Sequence, residues 1–398
     1  MGAGPAGAAL AYLLASRGIE VTLLERQLDF EREFRGEVLM PSGIEVLEQL
    51  EIEGLERIPQ RVPSSVEAFA RGHSFFRVDL DPELFGGKPP VAMSQPALLE
   101  RLVEAAGRFP SFHFERGATV LDLLREGDRI VGARARTQQG EKEFRGQLLV
   151  GADGRSSVAR RRADLAPLGK PQIMDVVWSK FPLPESFGSD APARAYIGQG
   201  HLLFAYRSPD DRLQVAWVIL KGGFGELRAG GFEAWIEEMA RNVSPDYAEH
   251  FRAHGDAVGR PFLLDSVLDR VPRWSLPGLL LLGDAAHTMS PVGGQGLNIA
   301  LRDAVVAANQ LVPVFRAGAE DAALDAAAQR VEAERLPEVE RIQQLQALPP
   351  RVMMNPARWA DLARFVIPLL ARVPGVQRFG ARALGVFAFG VTKVRLEV

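Results

Sequence analysis

The sequence predicts an α/β fold with two domains and a helical C-terminal tail. A glycine-rich turn, Gly2-x-Gly4-x-x-Gly7, opens the chain and leads into apolar residues at helical spacing. A strand-rich stretch at residues 112–150 carries turn signals that favour a small β-meander. A second strand-rich stretch, residues 170–220, contains aromatic residues and proline and favours further β-strands. The 398 residues allow two or three domains.

The composition excludes several classes of protein. Hydrophobic residues make up 47% and charged residues 24% of the chain, as in ordinary soluble globular proteins. The net charge of −3 supplies no basic field that would attract nucleic acid. No apolar run reaches the roughly 18 residues that a bilayer span needs. No signal peptide is visible either, so we predict a cytoplasmic protein.

Cysteine is absent, which excludes disulfides, thiolate zinc sites, cysteine nucleophiles and dithiol redox chemistry. Redox chemistry in this chain would therefore need a bound organic cofactor or a metal. The six histidines form no H-E-x-x-H pattern, and we predict no metal site.

The glycine turn is followed by a helix and then by a buried strand. Leu10 and Leu13 share a helical face, and residues 19–24 favour a strand that closes on Glu25. This order is a βαβ unit without its first strand, because only Met1 precedes the turn. We expect roughly five to ten further residues upstream, with Met1 the last residue of that strand.

Such a turn is typical of nucleotide-binding sites. Glycines let the backbone approach a pyrophosphate closely, and the helix that follows offers its free N–H groups. Glu25 lies 18 residues after Gly7, where a carboxylate can accept hydrogen bonds from ribose hydroxyls. The same carboxylate would repel a 2′-phosphate, so the site suits NAD or the ADP half of FAD rather than NADP. A tight turn without a ligand is the alternative.

A second strand end carries polar residues. The apolar residues 147–150 run into Gly151-Ala152-Asp153-Gly154, and Arg155 and Arg160 lie at the start of the helix that follows. An Asp-Gly strand end with downstream arginines can position phosphate and ribose groups. A plain Asp-Gly turn is the alternative.

A third stretch joins a strand, a glycine-rich loop and an amphipathic helix. Residues 279–282 are apolar and end at Gly283-Asp284, which can hold a ribose or polyol hydroxyl. The backbone of loop 291–296 can lie against a flat ring, and the helix from Leu297 points its N-terminus there. Such a helix end would stabilise a reduced, anionic flavin. A glycine-rich surface loop is the alternative.

The remaining segments are assigned by periodicity. Helical spacing is found in residues 42–50, 96–106, 232–239, 297–312 and 320–346. The last of these is charged, and we expect Pro337 to interrupt it. The arginine-rich tail predicts helices packed on the rest of the protein. A basic surface that docks on a membrane, a carrier protein or a second subunit is the alternative.

Together these stretches resemble one family. The glycine turn, Glu25-Arg26, residues 151–154 and residues 283–298 are similar in order and spacing to the class A flavoprotein monooxygenases. These are FAD-dependent aromatic hydroxylases of the para-hydroxybenzoate hydroxylase type. The resemblance covers residues 1–345 and implies a Rossmann-like FAD-binding domain with a parallel sheet and a small β-meander, a mostly antiparallel β-sheet substrate domain and a C-terminal helical extension. The implied boundaries are 1–67, 93–168 and 260–345 for the FAD-binding domain, 68–92 and 169–259 for the substrate domain, and 346–398 for the extension.

The resemblance also implies roles for individual residues. The pyrophosphate would lie on the glycine turn, the adenosine ribose at Glu25, the ribityl chain at Asp284 and the isoalloxazine ring on the loop that follows. The implied FAD-binding residues are Gly2, Gly4, Pro5, Ala6, Gly7, Glu25, Arg26, Arg35, Gln95, Asp153, Gly283, Asp284, Pro291, Gly296, Leu297 and Asn298. Because the flavin carries the chemistry, no catalytic side chain is predicted beyond the ring-facing loop with Pro291, Gly293 and Gly294.

Substrate contacts have the weakest sequence signal. His201, Tyr206 and Trp217 are candidates to face the substrate, although ordinary sheet packing explains each of them as well. His287 follows two small residues, and we expect it to pack or hydrogen-bond there rather than to act in catalysis.

The resemblance implies a reaction. NADH or NADPH would reduce FAD, O2 would add at flavin C4a, and the hydroperoxide would hydroxylate an aromatic or polyketide-like small molecule. The alternatives are a flavin-dependent halogenase, a prenyl-chain (geranylgeranyl-type) reductase and a non-catalytic nucleotide-binding redox module. Residues 215–220 lack the first Trp and the Pro of the halogenase motif. We expect a monomer or homodimer.

Overall fold

The computed structural model describes residues 1–31, 37–70, 73–185, 187–188, 191–198, 201–258, 261–318, 320–353 and 384–398. Its strands are β1 (Val21–Glu25), β2 (Val38–Leu39), β3 (Gln60–Arg61), β4 (Ser65–Ala70), β5 (His73–Asp79), β6 (Val91–Met93), β7 (Phe112–Arg116), β8 (Thr119–Glu126), β9 (Arg129–Thr137), β10 (Gly140–Arg145), β11 (Leu149–Gly151), β12 (Leu168–Pro171), β13 (Met174–Pro182), β14 (Ala193–Ile197), β15 (Leu202–Arg207), β16 (Arg212–Leu220), β17 (Phe262–Leu264), β18 (Val267–Arg270), β19 (Ser275–Leu276), β20 (Leu279–Leu281) and β21 (His287–Thr288). Its helices are α1 (Pro5–Ala15), α2 (Pro41–Gln49), α3 (Gln95–Ala106), α4 (Val158–Arg162), α5 (Phe224–Ala229), α6 (Phe232–Ala240), α7 (Pro245–Ala253), α8 (Gln295–Arg316) and α9 (Asp321–Met353).

Met1 and Gly2 lie at the centre of the parallel sheet. The Met1 nitrogen donates to the Val150 carbonyl at 2.7 Å, and Ala152 N–H donates to the Met1 carbonyl at 2.8 Å. On the other side, Gly2 N–H donates to the Leu24 carbonyl at 2.7 Å. These bonds join the parallel pair β1–β7 to β11, which is itself parallel to β20. The carboxyl ends of these strands therefore meet at one edge.

Helices α1, α3 and α8 pack beside this sheet. The first turn of α1 is built of small residues, which let the helix approach α8 closely, and Leu13 seals the interface. Helix α8 carries the apolar stripe predicted for residues 297–312, with Leu301 and Val305 fully buried. Helix α9 then packs on α8. It continues through Pro337, so the predicted interruption is wrong. A proline there removes one backbone hydrogen bond, and tertiary packing holds the helix together.

The predicted meander is shorter than the sequence pattern suggested. Of the strands described in residues 112–151, only β8, β9 and β10 form a three-stranded antiparallel sheet. Residues 112–116 pair with β1 and residues 149–151 pair with β20, both in parallel register. A short apolar run does not reveal its partner, so these two strands could not be separated from the meander by their sequence alone.

The second sheet has seven strands in the order β17-β13-β16-β15-β14-β4-β5. It is antiparallel except where β14 runs parallel to β4. Its outer face packs against helices α6 and α7. Its inner face, which we define by Trp178, Tyr206, Ala216 and Val218, contacts Ala92 and Val292 of the nucleotide-binding part.

The last residues of the chain return to the nucleotide-binding part. Residues 384–389 are helical, and the segment 384–398 lies on α1, α2 and α8. Arg17, just after the end of α1, donates to the Val398 carbonyl at 2.6 Å. Asn309 of α8 donates to the Arg395 carbonyl at 2.7 Å. Within the ranges described above, no helix is both long enough and apolar enough to cross a bilayer.

Candidate functional site

The glycine turn is packed so tightly that two of its positions accept no side chain. Gly2 has φ +91°, and a Cβ there would lie within 3.0 Å of the Ala152 carbonyl. A Cβ on Gly7 would lie equally close to the Gly2 carbonyl oxygen. At Gly4, the N-cap of α1, a Cβ would meet its first neighbour only at 4.0 Å, and no described side chain caps the helix. The N–H groups of the first turn thus face open space, as an anion site requires.

Glu25 is fixed beside this turn at the end of β1. Its carboxylate accepts hydrogen bonds from Ala3 N–H at 2.8 Å and from Gln27 N–H at 2.9 Å. It is 5% exposed, whereas the neighbouring Arg26 is exposed. The carboxylate therefore both closes the turn and stands where the ribose of a dinucleotide would lie.

The Asp153 carboxylate serves the local backbone. It accepts from Ser157 Oγ at 2.6 Å, from Val158 N–H at 2.6 Å and from Ala159 N–H at 3.2 Å, which caps α4. Asp153 therefore shapes the loop between β11 and α4, and its oxygens are already used in that role.

Asp284 lies at the same sheet edge, after β20. Its carboxylate is partly exposed and accepts from Arg155 Nε at 3.2 Å. Gly283, with φ +56°, makes the sharp turn that places it there. The glycine turn, Glu25 and Asp284 thus converge at the carboxyl edge of the parallel strands, where open α/β sheets bind their ligands.

The loop that precedes α8 is shaped by two glycines. Gly293 and Gly294 have φ +73° and +61°, a conformation that favours glycine. Helix α8 begins without a described side-chain cap. A Cβ at Gly296 would meet no atom within 4 Å, so the first turn of α8 borders open space. A flat ring could lie there against the backbone and the helix N-terminus.

A family model described as the FAD binding domain matches residues 1–345 of this chain. The chain belongs to this FAD-binding family. It is 32% identical to 6-methylpretetramide 4-monooxygenase of Streptomyces rimosus over 92% of this chain and 86% of that protein. These findings confirm the family that the sequence predicts, and they show that the chain is an FAD-dependent oxidoreductase.

Solved structures show the same fold. p-Nitrophenol 4-monooxygenase PnpA from Pseudomonas putida superposes with a TM-score of 0.78 at 17% identity, covering 97% of this chain and 96% of that one. The crystal structure of pqsL, a probable FAD-dependent monooxygenase from Pseudomonas aeruginosa, gives a TM-score of 0.76 at 24% identity, covering 91% and 98%. The predicted α/β fold class is thereby confirmed.

The glycine cradle and the open space at Gly296 fit the two ends of FAD. The glycine turn and the α1 N-terminus would hold the pyrophosphate, with Pro5 and Ala6 as the first residues of that helix. Asp284 would hold the ribityl chain, and the ring would lie at Pro291 and Gly296. All of them belong to the matched region.

Three other predicted residues have packing or hydrogen-bond partners of their own or lie on another helix. Leu297 is buried in the hydrophobic core that α8 shares with α1 and the parallel sheet. Asn298 is fully buried and donates to the Val38 and Gly294 carbonyls at 3.2 and 2.8 Å, so it ties the loop together. Gln95 is the first residue of α3 and is partly exposed. Arg35 lies outside the described residues.

The three substrate candidates separate in the structure. Tyr206 lies on the inner face of the second sheet and is 4% exposed. Trp217 lies on the outer face, with its ring centroid 6.3 Å from that of Trp235. Trp217 thus packs on the opposite face of the sheet from Tyr206. His201 lies at the start of β15, against Gly198.

His287 belongs to a buried hydrogen-bond network. Its Nε2 lies 2.8 Å from Asp303 Oδ2, and the same oxygen accepts from Gly283 N–H at 3.2 Å. Arg335 binds the other Asp303 oxygen at 2.8 Å. Burial would raise the pKa of Asp303, but His287 and Arg335 outweigh it and hold that pKa below its ordinary value. His287 thus fixes the turn that carries Asp284.

Two residues near the ring loop were missed by the sequence analysis. Phe387, in the returning tail, lies against Gly293, where a Cβ would approach its ring to 2.9 Å. Gln295 Nε2 holds it there by donating to the Phe387 carbonyl at 2.9 Å. Glu37 is 6% exposed, and burial raises its pKa to about 7. Nothing in the sequence signals that either residue lies at this place.

The Glu25 carboxylate gives a direct test of the ribose position. Glu25→Ala is expected to weaken FAD binding about 10- to 100-fold, because hydrogen bonds to a charged group contribute roughly 1.5–3 kcal/mol. Titration of apoprotein with FAD, followed by flavin fluorescence, measures the dissociation constant. Glu20→Ala, at an exposed position before the same strand, is the control. Equal affinities of the two variants would contradict the assignment.

Proposed function

We propose that this chain uses NADH or NADPH and O2 to hydroxylate an aromatic or polyketide-like small molecule. The observation that carries the proposal is the position of the ring loop. Val292 of that loop contacts the inner face of the second sheet, which carries buried aromatic side chains, and the first turn of α8 borders open space at Gly296. A flat aromatic substrate would fit between them. The Streptomyces relative, named for its action on 6-methylpretetramide, supports this substrate class.

FAD, when bound, would supply the redox chemistry between the nicotinamide, O2 and the substrate. The chain's own residues have three tasks. The glycine turn and Glu25 anchor one end of the cofactor, and Asp284 orients its middle. The two-glycine loop leaves room for the ring. The inner face of the sheet excludes water from the reacting atoms, which protects oxygen transfer from wasteful side reactions.

A spectrum and an oxidation assay test the proposal. Purified protein is expected to be yellow and to show flavin absorption, and NADH or NADPH oxidation with O2 uptake is expected to rise when a suitable phenol is added. A panel of simple phenols and hydroxylated anthraquinones covers both substrate classes, and mass spectrometry should find the product heavier by one oxygen atom. If a phenol stimulates the consumption of NADH or NADPH but no hydroxylated product forms, the result counts against the proposal. Product formation that requires bromide or proceeds without O2 would favour a halogenase or a reductase instead.

A further inference from the structure

Glu37 is held directly beside the ring loop. It precedes β2, and its carbonyl accepts from Met93 N–H at 2.8 Å. The next residue, Val38, lies 3.4 Å from where a Cβ on Gly294 would be. Asn298 of α8 donates to the Val38 carbonyl at 3.2 Å. The backbone of Glu37 is therefore tied to the loop on which the flavin ring would lie.

Tyr206 and Gln214 belong to the second sheet, whose inner face contacts Ala92, and Ala92 pairs with Val38 next to Glu37. Tyr206 and Gln214 are cross-strand neighbours on β15 and β16, and Gln214 Nε2 donates to the Tyr206 hydroxyl at 2.8 Å. Both are buried. Burial raises the pKa of Tyr206, and the negative charge of Glu37 adds to that rise. The carboxylate and the phenol are thus electrostatic neighbours across the boundary between the two parts of the protein.

This cluster has acceptors that lack donors. Among the described residues, Glu37 Oε2 and Gln214 Oε1 are buried without a hydrogen-bond partner. Leaving a buried acceptor unpaired costs about 1–3 kcal/mol, so such groups at a candidate site point to a ligand that donates. A hydroxyl on an aromatic ring is such a donor.

The charge of Glu37 can change near neutral pH. Burial raises its pKa to about 7; Lys180 lowers that pKa and Asp210 raises it further. These two residues are hydrogen-bonded to each other at 2.9 Å, so their effects on Glu37 largely offset. Arg61, on β3, is paired with Asp211. A carboxylate with a pKa near the working pH is suited to accept and return a proton.

We infer that Glu37 is the catalytic base that removes the proton from the substrate's phenolic hydroxyl, with Tyr206 and Gln214 orienting that hydroxyl. The O–H bond of the phenol breaks and an O–H bond forms on the Glu37 carboxylate. The negative charge passes to the aromatic ring, which becomes more electron-rich and accepts an oxygen atom more readily. The step involves no change of oxidation state. This inference rests on the proposed function.

The test uses the FAD-loaded enzyme and the phenol from the panel that wild-type enzyme hydroxylates best. Wild-type kcat/KM is expected to rise with pH through about 7, because Glu37 must be ionised to act. Glu37→Gln is expected to lower kcat/KM about 100-fold or more at pH 7. The remaining kcat/KM of Glu37→Gln should rise with pH only as the phenol ionises in solution. With ring-substituted phenols of lower pKa, the difference in kcat/KM between wild-type enzyme and Glu37→Gln should therefore become smaller. Glu83→Gln, at an exposed position, is the control.

Each outcome decides a different point. If wild-type enzyme hydroxylates no phenol, the proposed function fails and this inference fails with it. If wild-type enzyme is active and Glu37→Gln keeps the wild-type pH profile, only the assignment of Glu37 is overturned. If Glu37→Gln lowers kcat/KM by the same factor for every phenol and at every pH, Glu37 has a structural role and its assignment as the base is also overturned. If the Glu37→Gln protein does not retain FAD, the Glu37→Asp variant is measured instead. Its kcat/KM must be lower than that of wild-type enzyme and must still rise with pH near 7.

Discussion

Replacing Gly7 with alanine is expected to yield a protein that folds but purifies with little or no FAD. The new Cβ would lie within 3.0 Å of the Gly2 carbonyl oxygen and 3.2 Å from the Ala152 Cβ. The first obstacle is backbone, so no side-chain rotation relieves it. Helix α1 would have to move away from the turn, and its free N–H groups would move with it. Overpacking of this kind costs roughly 1–3 kcal/mol, which corresponds to an affinity loss of about 10- to 100-fold or more.

The ratio of flavin absorbance to protein absorbance measures this effect, and titration of apoprotein with FAD gives the affinity. Gly225→Ala is the matched control, because a Cβ there meets no atom within 4 Å and its φ is not positive. Circular dichroism separates cofactor loss from unfolding. A Gly7→Ala protein that retains one FAD per chain would show that the turn can relax, and the assignment of the pyrophosphate site would have to change.

The parts of the site that could be predicted from sequence are those built within one short segment. The glycine turn and Glu25 are held by backbone geometry over 25 residues, so spacing alone carries the signal. The same holds for Gly283-Asp284, which directly follows a buried strand. Local constraints of this kind leave a pattern in the sequence, because only certain residue types satisfy them.

The parts that could not be predicted depend on distant contacts. Phe387 reaches Gly293 across more than ninety residues. The charge of Glu37 acts on Tyr206 only because the second sheet packs against β6, the partner strand of β2. The Asn298 side-chain amide donates to the Val38 carbonyl, 260 residues earlier in the chain, a contact that its sequence position does not reveal. Trp217 and Tyr206 come from neighbouring strands, and their sequences do not tell which face of the sheet each one occupies.

Glu338→Gln is expected to lower the free energy of unfolding by about 3–5 kcal/mol, since it leaves buried charge without its partner. Glu338 is fully buried between two arginines: it is 2.8 Å from Arg302 and is also bound by Arg335. Burial already lowers the pKa of Arg302 to about 10, and Glu338 is the strongest opposing influence. With Asp303, the two carboxylates balance the two guanidinium groups, and the glutamine would leave one positive charge uncompensated.

The same substitution should loosen the ring loop, because Glu338 also holds the returning tail. Its Oε1 accepts from Val391 N–H at 2.7 Å, and Val391 is four residues after Phe387. We expect a lower melting temperature together with a rise in bound-flavin fluorescence, as Phe387 leaves Gly293 and solvent reaches the ring. Glu334→Gln, the same charge change at an exposed position one turn earlier on α9, should alter neither. A lower melting temperature without a change in flavin fluorescence would show that the tail supports only the fold. A lower melting temperature together with higher flavin fluorescence would make the C-terminal segment part of the cofactor site.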